Sequence, residues 1–412
     1  MKDWRRDRRT PSARRDTGES IMARRVPALL AAVLLAAALP LGAQAEEGKL
    51  KIGFMATLSG PPAALGQHMR DGFLLGVKEL GGQLGGIPTE VVVEDDELKP
   101  DVAVNKVRKL LESDQVDIVV GVVFSNVMMA IAKPVTDAEK ILISPNAGPS
   151  PLAGKGCSPY FFSVSYQNDQ NHEVMGKYAQ DKGWTKVALI APNYQAGKDA
   201  LAGFKRFYKG EVVEEIYTQV NQQDFSAELA KIAAAEPQAV FTFMPGGSGV
   251  NLVRQYRQAG LAERIPFLSA FTVDETTLPA TKDAALGLFA GAQWAPNLDN
   301  PANKAFVAAF EKEYGYEPAL YAANGYDAAK LIDAAIRQAG GKTDAETLKT
   351  AIRSAKWASV RGDFAWNKNN FPIQDFYLTE VVKRDDGKFV TSRVSTVFPH
   401  YGDAYADQCA MN

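Results

Sequence analysis

Short apolar runs alternate with stretches of helical periodicity along most of the chain. Residues 50–55 (LKIGFM) read as a strand, and 56–66, rich in Gly and Pro, as a loop. Residues 67–80 place Met69, Phe73, Leu74 and Val77 on one helical face, and Gly81-Gly82 and Gly85-Gly86 stop that helix. A second strand spans 87–94, and Pro100 opens a helix carrying Val104, Val107, Leu110 and Leu111. An apolar strand over 116–123 ends in Phe124-Ser125-Asn126, where Ser125 or Asn126 is placed to cap the helix that follows. The next strand, 141–143, ends in Ser144-Pro145-Asn146-Ala147-Gly148. This βαβαβαβ order predicts a parallel sheet covered by helices on both faces.

The alternation restarts after Cys157. Strands are expected at 161–165, 186–191, 212–218, 239–244, 266–270 and 288–294. Helices are expected at 171–181, 198–208, 225–235 and 252–259, with a Gly-rich loop at 245–249. Long helices follow at 301–314 and 321–338, then two closing strands at 376–382 and 389–394 around Asp385-Asp386-Gly387. Two similar α/β lobes are therefore expected, and the late helices must cover the sheet begun at the amino end. That places 46–164 and 295–355 in lobe one, 165–294 and 356–412 in lobe two, and a ligand cleft between them.

The amino end differs in character. Residues 1–20 are Arg-rich and polar; then come Arg24-Arg25, an apolar run over 26–41 and Gly42-Ala43-Gln44-Ala45. This is the charged, apolar and small-residue order of a secretory signal, with cleavage expected after Ala45 and Met22 as an alternative start. Removing residues 1–45 takes away 9 basic and 4 acidic residues, leaving 37 against 44 and a net charge near −7. Such a balance argues against nucleic acid or anionic membrane as partner. Export to an oxidising compartment makes a Cys157–Cys409 disulfide the expectation, tying the tail to the loop after Gly148. Two cysteines and three dispersed histidines make no metal site.

Catalytic patterns are lacking. The Gly246-Gly247-Ser248-Gly249 run fits neither a dinucleotide fingerprint nor a P-loop, and no G-x-S-x-G occurs. No base, nucleophile and oxyanion donors converge, so neither an enzyme nor a cofactor is expected. What remains is solute capture: the small polar ends of two adjacent parallel strands form a shelf where ligands bind in open α/β sheets, with a helix N-terminus that favours carboxylates. Candidate ligand residues are Ser125, Asn126, Asn146, Ala147 and Gly148 from lobe one, and Tyr194, Gly246, Ser248 and Phe271 from lobe two.

At these positions the chain resembles the periplasmic solute-binding proteins of branched-chain amino acid type ABC importers, the Leu/Ile/Val-binding proteins. The matching pieces are KIGFMATLSGP from Lys51, VEDDE from Val93, ILISPNA from Ile141, NLVRQYRQAG from Asn251, NPANKAF from Asn300 and YAANGYDA from Tyr321. The resemblance implies two α/β lobes joined by three crossovers, a periplasmic location, and delivery of solute to an inner-membrane permease by a monomer. It puts the ligand carboxylate on Ser125 and on the amides of Asn146, Ala147 and Gly148. The family's first-loop aromatic falls on Leu65, and a lobe-two aromatic falls near Ala196, two places from Tyr194. The acid that pairs with an amino acid's ammonium falls on Phe271. An ammonium buried without a counter-charge costs several kcal/mol, so the expected ligand is a carboxylate without an amine: a benzoate, phenylacetate or hydroxycinnamate type. SYQNDQ at 165–170 also resembles members assigned to aromatic acids. Amino acids stand as the alternative should Asp274 or Glu275 supply the acid, and a ligand-sensing module for a receptor as another.

Overall fold

The computed structural model describes residues 48–411. The leader and the cleavage point after Ala45 lie outside the described residues. The first sheet is built from β1 (Leu50–Ala56), α1 (Ala63–Glu79), β2 (Gln83–Leu84), β3 (Ile87–Asp95), α2 (Pro100–Arg108), β4 (Ile118–Gly121), α3 (Ser125–Asp137), β5 (Ile141–Ser144), α4 (Ser150–Ala153) and β6 (Phe161–Ser163). Its strand order is β2-β3-β1-β4-β5-β6. All pairings are parallel except that of the two-residue β2. Every residue of β4 and β5 is buried, which explains why these strands read as continuous apolar runs rather than alternating ones.

The chain then passes through α5 (Asp169–Asp181), β7 (Lys186–Pro192), α6 (Gln195–Phe207), β8 (Glu211–Thr218), α7 (Ser226–Ala235), β9 (Ala239–Thr242), α8 (Gly247–Gln258), β10 (Phe267–Ser269), α9 (Leu278–Thr281) and β11 (Phe289–Ala292). It continues with α10 (Pro301–Tyr314), α11 (Leu320–Gln338), α12 (Ala345–Ser354), β12 (Ala365–Trp366), β13 (Pro372–Lys383) and β14 (Phe389–Tyr401). The second sheet runs β12-β13-β11-β10-β9-β7-β8, with β14 added on β13. The core β8-β7-β9-β10-β11 is parallel, whereas β13 runs antiparallel to β11, β12 and β14. The second sheet is therefore parallel in its core and mixed at its edge. The closing strands form a hairpin around Asp385–Gly387, and a short turn can only join antiparallel strands.

The chain crosses between the sheets three times. It leaves β6 for α5, returns from β11 to α10, and leaves α12 for the β12–β13 segment. Between the last two crossings, α10 and α11 pack on α1, and α12 on β5, so the late helices do cover the first sheet. The crossings are tied to one another: the Arg361 guanidinium donates to the Ser165 carbonyl at 2.9 Å and to Asp327 at 3.0 Å, and Gln374 donates to the same carbonyl at 2.6 Å. Arg361 and Asp327 are buried together, and a buried pair of this kind fixes register more than it adds stability.

Helix starts differ most from the sequence reading at α1 and α8. Helix α1 begins at Ala63, four residues early, because Pro61-Pro62 read as a breaker, although proline is compatible with a helix entrance. Helix α8 begins at Gly247 rather than 252, so the Gly-rich run is its cap and first turn. The Cys157–Cys409 disulfide is present and closes 252 residues of chain. Replacing both cysteines by serine should lower stability by about 2–5 kcal/mol, the usual range for a native bridge. Urea unfolding of the double variant against the parent measures this, and an unchanged midpoint would mean that the tail is held by its other contacts.

Candidate functional site

The carboxyl ends of β4 and β5 open on one cavity. Phe124, in extended conformation, precedes α3, and no side chain caps that helix. Neither Ser125 nor Asn126 therefore acts as the cap expected of them: both belong to the first turn of the helix. The first-turn N–H groups have no intrahelical acceptor and carry the positive end of the helix dipole. The Ser125 hydroxyl lies beside them, 2% exposed.

The loop after β5 plays a different part from the one expected. Asn146 is a brace: its Nδ2 donates to the Val123 carbonyl at 2.6 Å, and its Oδ1 accepts from the Tyr166 hydroxyl at 2.5 Å. The Ala147 amide donates to the Val122 carbonyl at 3.2 Å. The Gly148 amide donates to Asn168 Oδ1 at 3.0 Å, and a Cβ at Gly148 would stand 2.1 Å from the Tyr166 carbonyl oxygen. Gly148 does not line the cavity. Its place in the sequence motif reflects a close backbone crossing rather than a free donor.

The junction that orders these groups is Asn168, on the first crossing. Its Nδ2 donates to Ser125 Oγ at 3.0 Å and to Asp199 Oδ2 at 2.8 Å. The Asp199 carboxylate is held in turn by the Ser150 amide at 3.1 Å, the Ser150 hydroxyl at 2.7 Å and Gln195 at 2.8 Å. Because Ser125 Oγ accepts from an amide, its own proton is free to be donated elsewhere.

The opposite wall is aromatic. Phe271 lies 5.2 Å from the Tyr166 ring, 5.6 Å from His172, 5.9 Å from Phe243 and 6.4 Å from Tyr321. Tyr194 stacks on Phe243 at 6.2 Å and tilts against Phe124 at 6.1 Å. Phe271 holds φ at +58°, an uncommon conformation for a bulky residue. Burial lowers the His172 pKa to about 3, so its imidazole is neutral at physiological pH.

The cavity is narrow in this structure, about 20 Å³. Of the residues singled out in the sequence, Leu65, Ser125, Asn146, Ala147, Tyr194, Ala196 and Phe271 line it. Asn126, Gly148, Gly246 and Ser248 do not. Asn126 and Ser248 belong to the first turns of α3 and α8 without facing the cavity. Gly246 closes the rim instead: with φ at +69°, it sits where a Cβ would be 3.0 Å from Leu65 Cδ1 and 3.2 Å from Pro62 Cα. Tyr166, Asn168, His172, Phe243 and Tyr321 line the cavity and had not been singled out. Tyr166 and Asn168 fall within the SYQNDQ motif, which was the available signal. No Asp or Glu is among the lining residues. Glu275 is turned away, accepting from the Thr391 amide and hydroxyl, both at 2.7 Å. Asp274 accepts from the Thr276 amide and hydroxyl at 2.8 and 2.5 Å.

Residues 49–388 match the periplasmic binding protein family over most of the chain. The chain belongs to that family. This periplasmic binding protein is 29% identical over 364 residues to Leu/Ile/Val-binding protein homolog 6 of Brucella melitensis, a match covering 86% of the chain and 93% of the relative. A solute-binding protein of an ABC transporter from R. palustris, solved in complex with benzoate, superposes with a TM-score of 0.83 at 32% identity, covering 88% of this chain and all of that one. The branched-chain amino acid binding protein LivJ of Streptococcus pneumoniae, solved with isoleucine, gives 0.74 at 25% identity, covering 84% and 100%. Family and fold are those of extracytoplasmic, non-catalytic components of ABC importers, located in the periplasm and partnered with a small solute and a membrane permease.

If Gly148 serves the backbone crossing, Gly148→Ala should destabilise this binding protein by about 1–3 kcal/mol through overpacking. Thermal unfolding without ligand checks this, and an unchanged melting temperature would show that the loop can give way.

Proposed function

We propose that this binding protein captures a small aromatic carboxylate of the benzoate type in the periplasm and hands it to its permease. The observation that carries the reading is the asymmetry of the cavity. One end offers the uncapped start of α3 and the Ser125 hydroxyl; the rest is aromatic and lacks a carboxylate. A carboxylate at the first end would gain charge-assisted hydrogen bonds. An ammonium at the other would stay unpaired, at a cost of several kcal/mol. Phe271, where amino-acid-binding members carry an acid, supplies a flat apolar surface for a ring. Solved relatives bound to benzoate and to 3,4-dihydroxy benzoic acid, at TM-scores of 0.83 and 0.82, support the same reading.

Capture proceeds by closure of two bodies, 46–164 with 295–355 and 165–294 with 356–412. The contact of Gly246 with Leu65 and Pro62 then seals the cleft and excludes water. One chain builds the whole cavity, which supports capture by a monomer.

The test is a calorimetric titration with benzoate and with leucine. Benzoate should bind, and at a hundredfold excess over its Kd should stabilise the fold by about 2.7 kcal/mol. Ser125→Ala should weaken benzoate binding about 10- to 100-fold, the loss expected for a hydrogen bond to a charged group, with the fold retained. Binding of leucine without binding of benzoate would overturn the proposal in favour of an amino acid.

A further inference from the structure

Asp199 joins parts of the molecule that cleft opening would have to separate. It lies on α6, in the body 165–294, and the start of that helix reaches the cavity through Tyr194 and Ala196. Asp199 itself is 3% exposed and does not line the cavity. Its carboxylate accepts from the Ser150 amide at 3.1 Å and from the Ser150 hydroxyl at 2.7 Å. Ser150 opens α4, in the body 46–164. Gln195, one turn back on α6, donates to Asp199 at 2.8 Å and reaches Ser150 Oγ at 3.3 Å. The remaining bond comes from the first crossing, where Asn168 Nδ2 donates at 2.8 Å.

That last bond ties the carboxylate to the site. Asn168 Nδ2 gives one proton to Asp199 and the other to Ser125 Oγ. Were the amide turned over, its oxygen would face the Asp199 carboxylate, and two acceptors repel each other. Asp199 therefore holds the amide in the orientation that leaves the Ser125 proton free for a ligand. On one side it is bonded to the opposing body, and on the other to the group that directs Ser125.

We propose that Asp199 is a positioning residue that couples closure of the cleft to assembly of the carboxylate site. This rests on the two-body capture described above, but not on the ligand being aromatic. When the bodies part, Ser150 leaves the carboxylate and water takes its place. Asn168 then loses its fixed acceptor, and Ser125 its fixed donor. Closure restores the bonds in a water-excluded setting, where each is stronger. A ligand that binds only the assembled site thus shifts the protein towards the closed form.

Benzoate and leucine are the probes, followed by stopped flow with the wild-type protein, Ser150→Ala, Asp199→Asn and the double variant. Each single change should raise the benzoate dissociation rate about tenfold, the usual effect of losing a hydrogen bond to a charged group. The association rate should stay within about twofold, because these bonds form only on closure. The double variant should dissociate no faster than the faster single one, since both changes break the same contact. Losses carried by the association rate, or losses that multiply in the double variant, would overturn the proposal. If the wild-type protein binds leucine and not benzoate, the aromatic reading fails, and the same rates measured with leucine decide the role of Asp199. A measurement on the wild-type protein covers the case of a poorly folding variant. Saturating ligand should slow hydrogen exchange of the Ser150 amide about tenfold or more, and exchange that does not respond would overturn the proposal.

Discussion

The amide of Asn168 is the constraint on which the site depends. It sits where the chain first passes from one sheet to the other, and each of its polar atoms is committed. The backbone N–H donates to the Gly148 carbonyl at 2.8 Å, Oδ1 accepts from the Gly148 amide, and Nδ2 serves both Ser125 and Asp199. A side chain with a donor and an acceptor on one planar group is required for this. An aspartate would turn the donor into an acceptor and face Asp199, and a leucine would take away the partner of three groups. Because the amide uses the Ser125 oxygen as an acceptor, it decides where the serine proton goes. The polarity of the proposed carboxylate end is thus set by a residue that lies behind it, in the hinge.

The same junction links packing to closure. The loop after β5 crosses the first connection so closely that only glycine fits at 148, and Asn146 and Tyr166 brace each other across that crossing. The first and third connections are fastened together by Arg361 and Gln374 at the Ser165 carbonyl, and Asp327 of α11 holds Arg361. At the far rim, Gly246 meets Leu65 and Pro62. The cavity therefore lies between hydrogen-bonded crossings and a rim where Gly246 approaches Leu65 and Pro62. Under the proposed mechanism the rim can open and close many times, because its contacts are dispersive and cheap to separate.

Much of the fold was legible because periodicity is local. The strands at β1, β3 and β7 and the helix α10 could be read from short windows, since burial on one or both faces imprints a repeat. The antiparallel hairpin β13–β14 could be seen as a pair of strands, but its orientation against β11 could not, because that pairing spans some ninety residues and leaves no local trace. The site divides in the same way. Ser125, Ala147, Leu65 and Phe271 stand at strand ends or in first loops, where position in a βα unit predicts proximity to a ligand. Asn168, His172 and Tyr321 reach the cavity from a crossing and from two helices, and only the three-dimensional path brings Asn168 to Ser125, 43 residues away. The misreading of the Ala147 and Gly148 amides as free donors has one physical cause. Sequence shows which backbone groups exist but not which are already bonded.

A further question is how a chain that carries a net charge near −7 without its leader would hold an anion. Net charge acts over distance and is screened within about 8 Å at physiological ionic strength, so the nearest groups decide. Three acids stand close to the Asn168 end of the cavity: Asp169, Glu173 and Asp199. Each is tied off. Arg206 pairs with both Asp169 and Glu173, and Tyr405 adds a hydrogen bond to Asp169 at 2.8 Å. Burial pushes the Glu173 pKa up to about 7, weakening the second negative charge at neutral pH. Burial also raises the pKa of Asp199, whose carboxylate is enclosed by donors from Ser150, Gln195 and Asn168. With these charges answered from behind, the groups that face the cavity are donors and rings, and selectivity for an anion follows from direction rather than from net charge. The arrangement accounts for the way the proposed carboxylate end can stay favourable to an anion beside three acids.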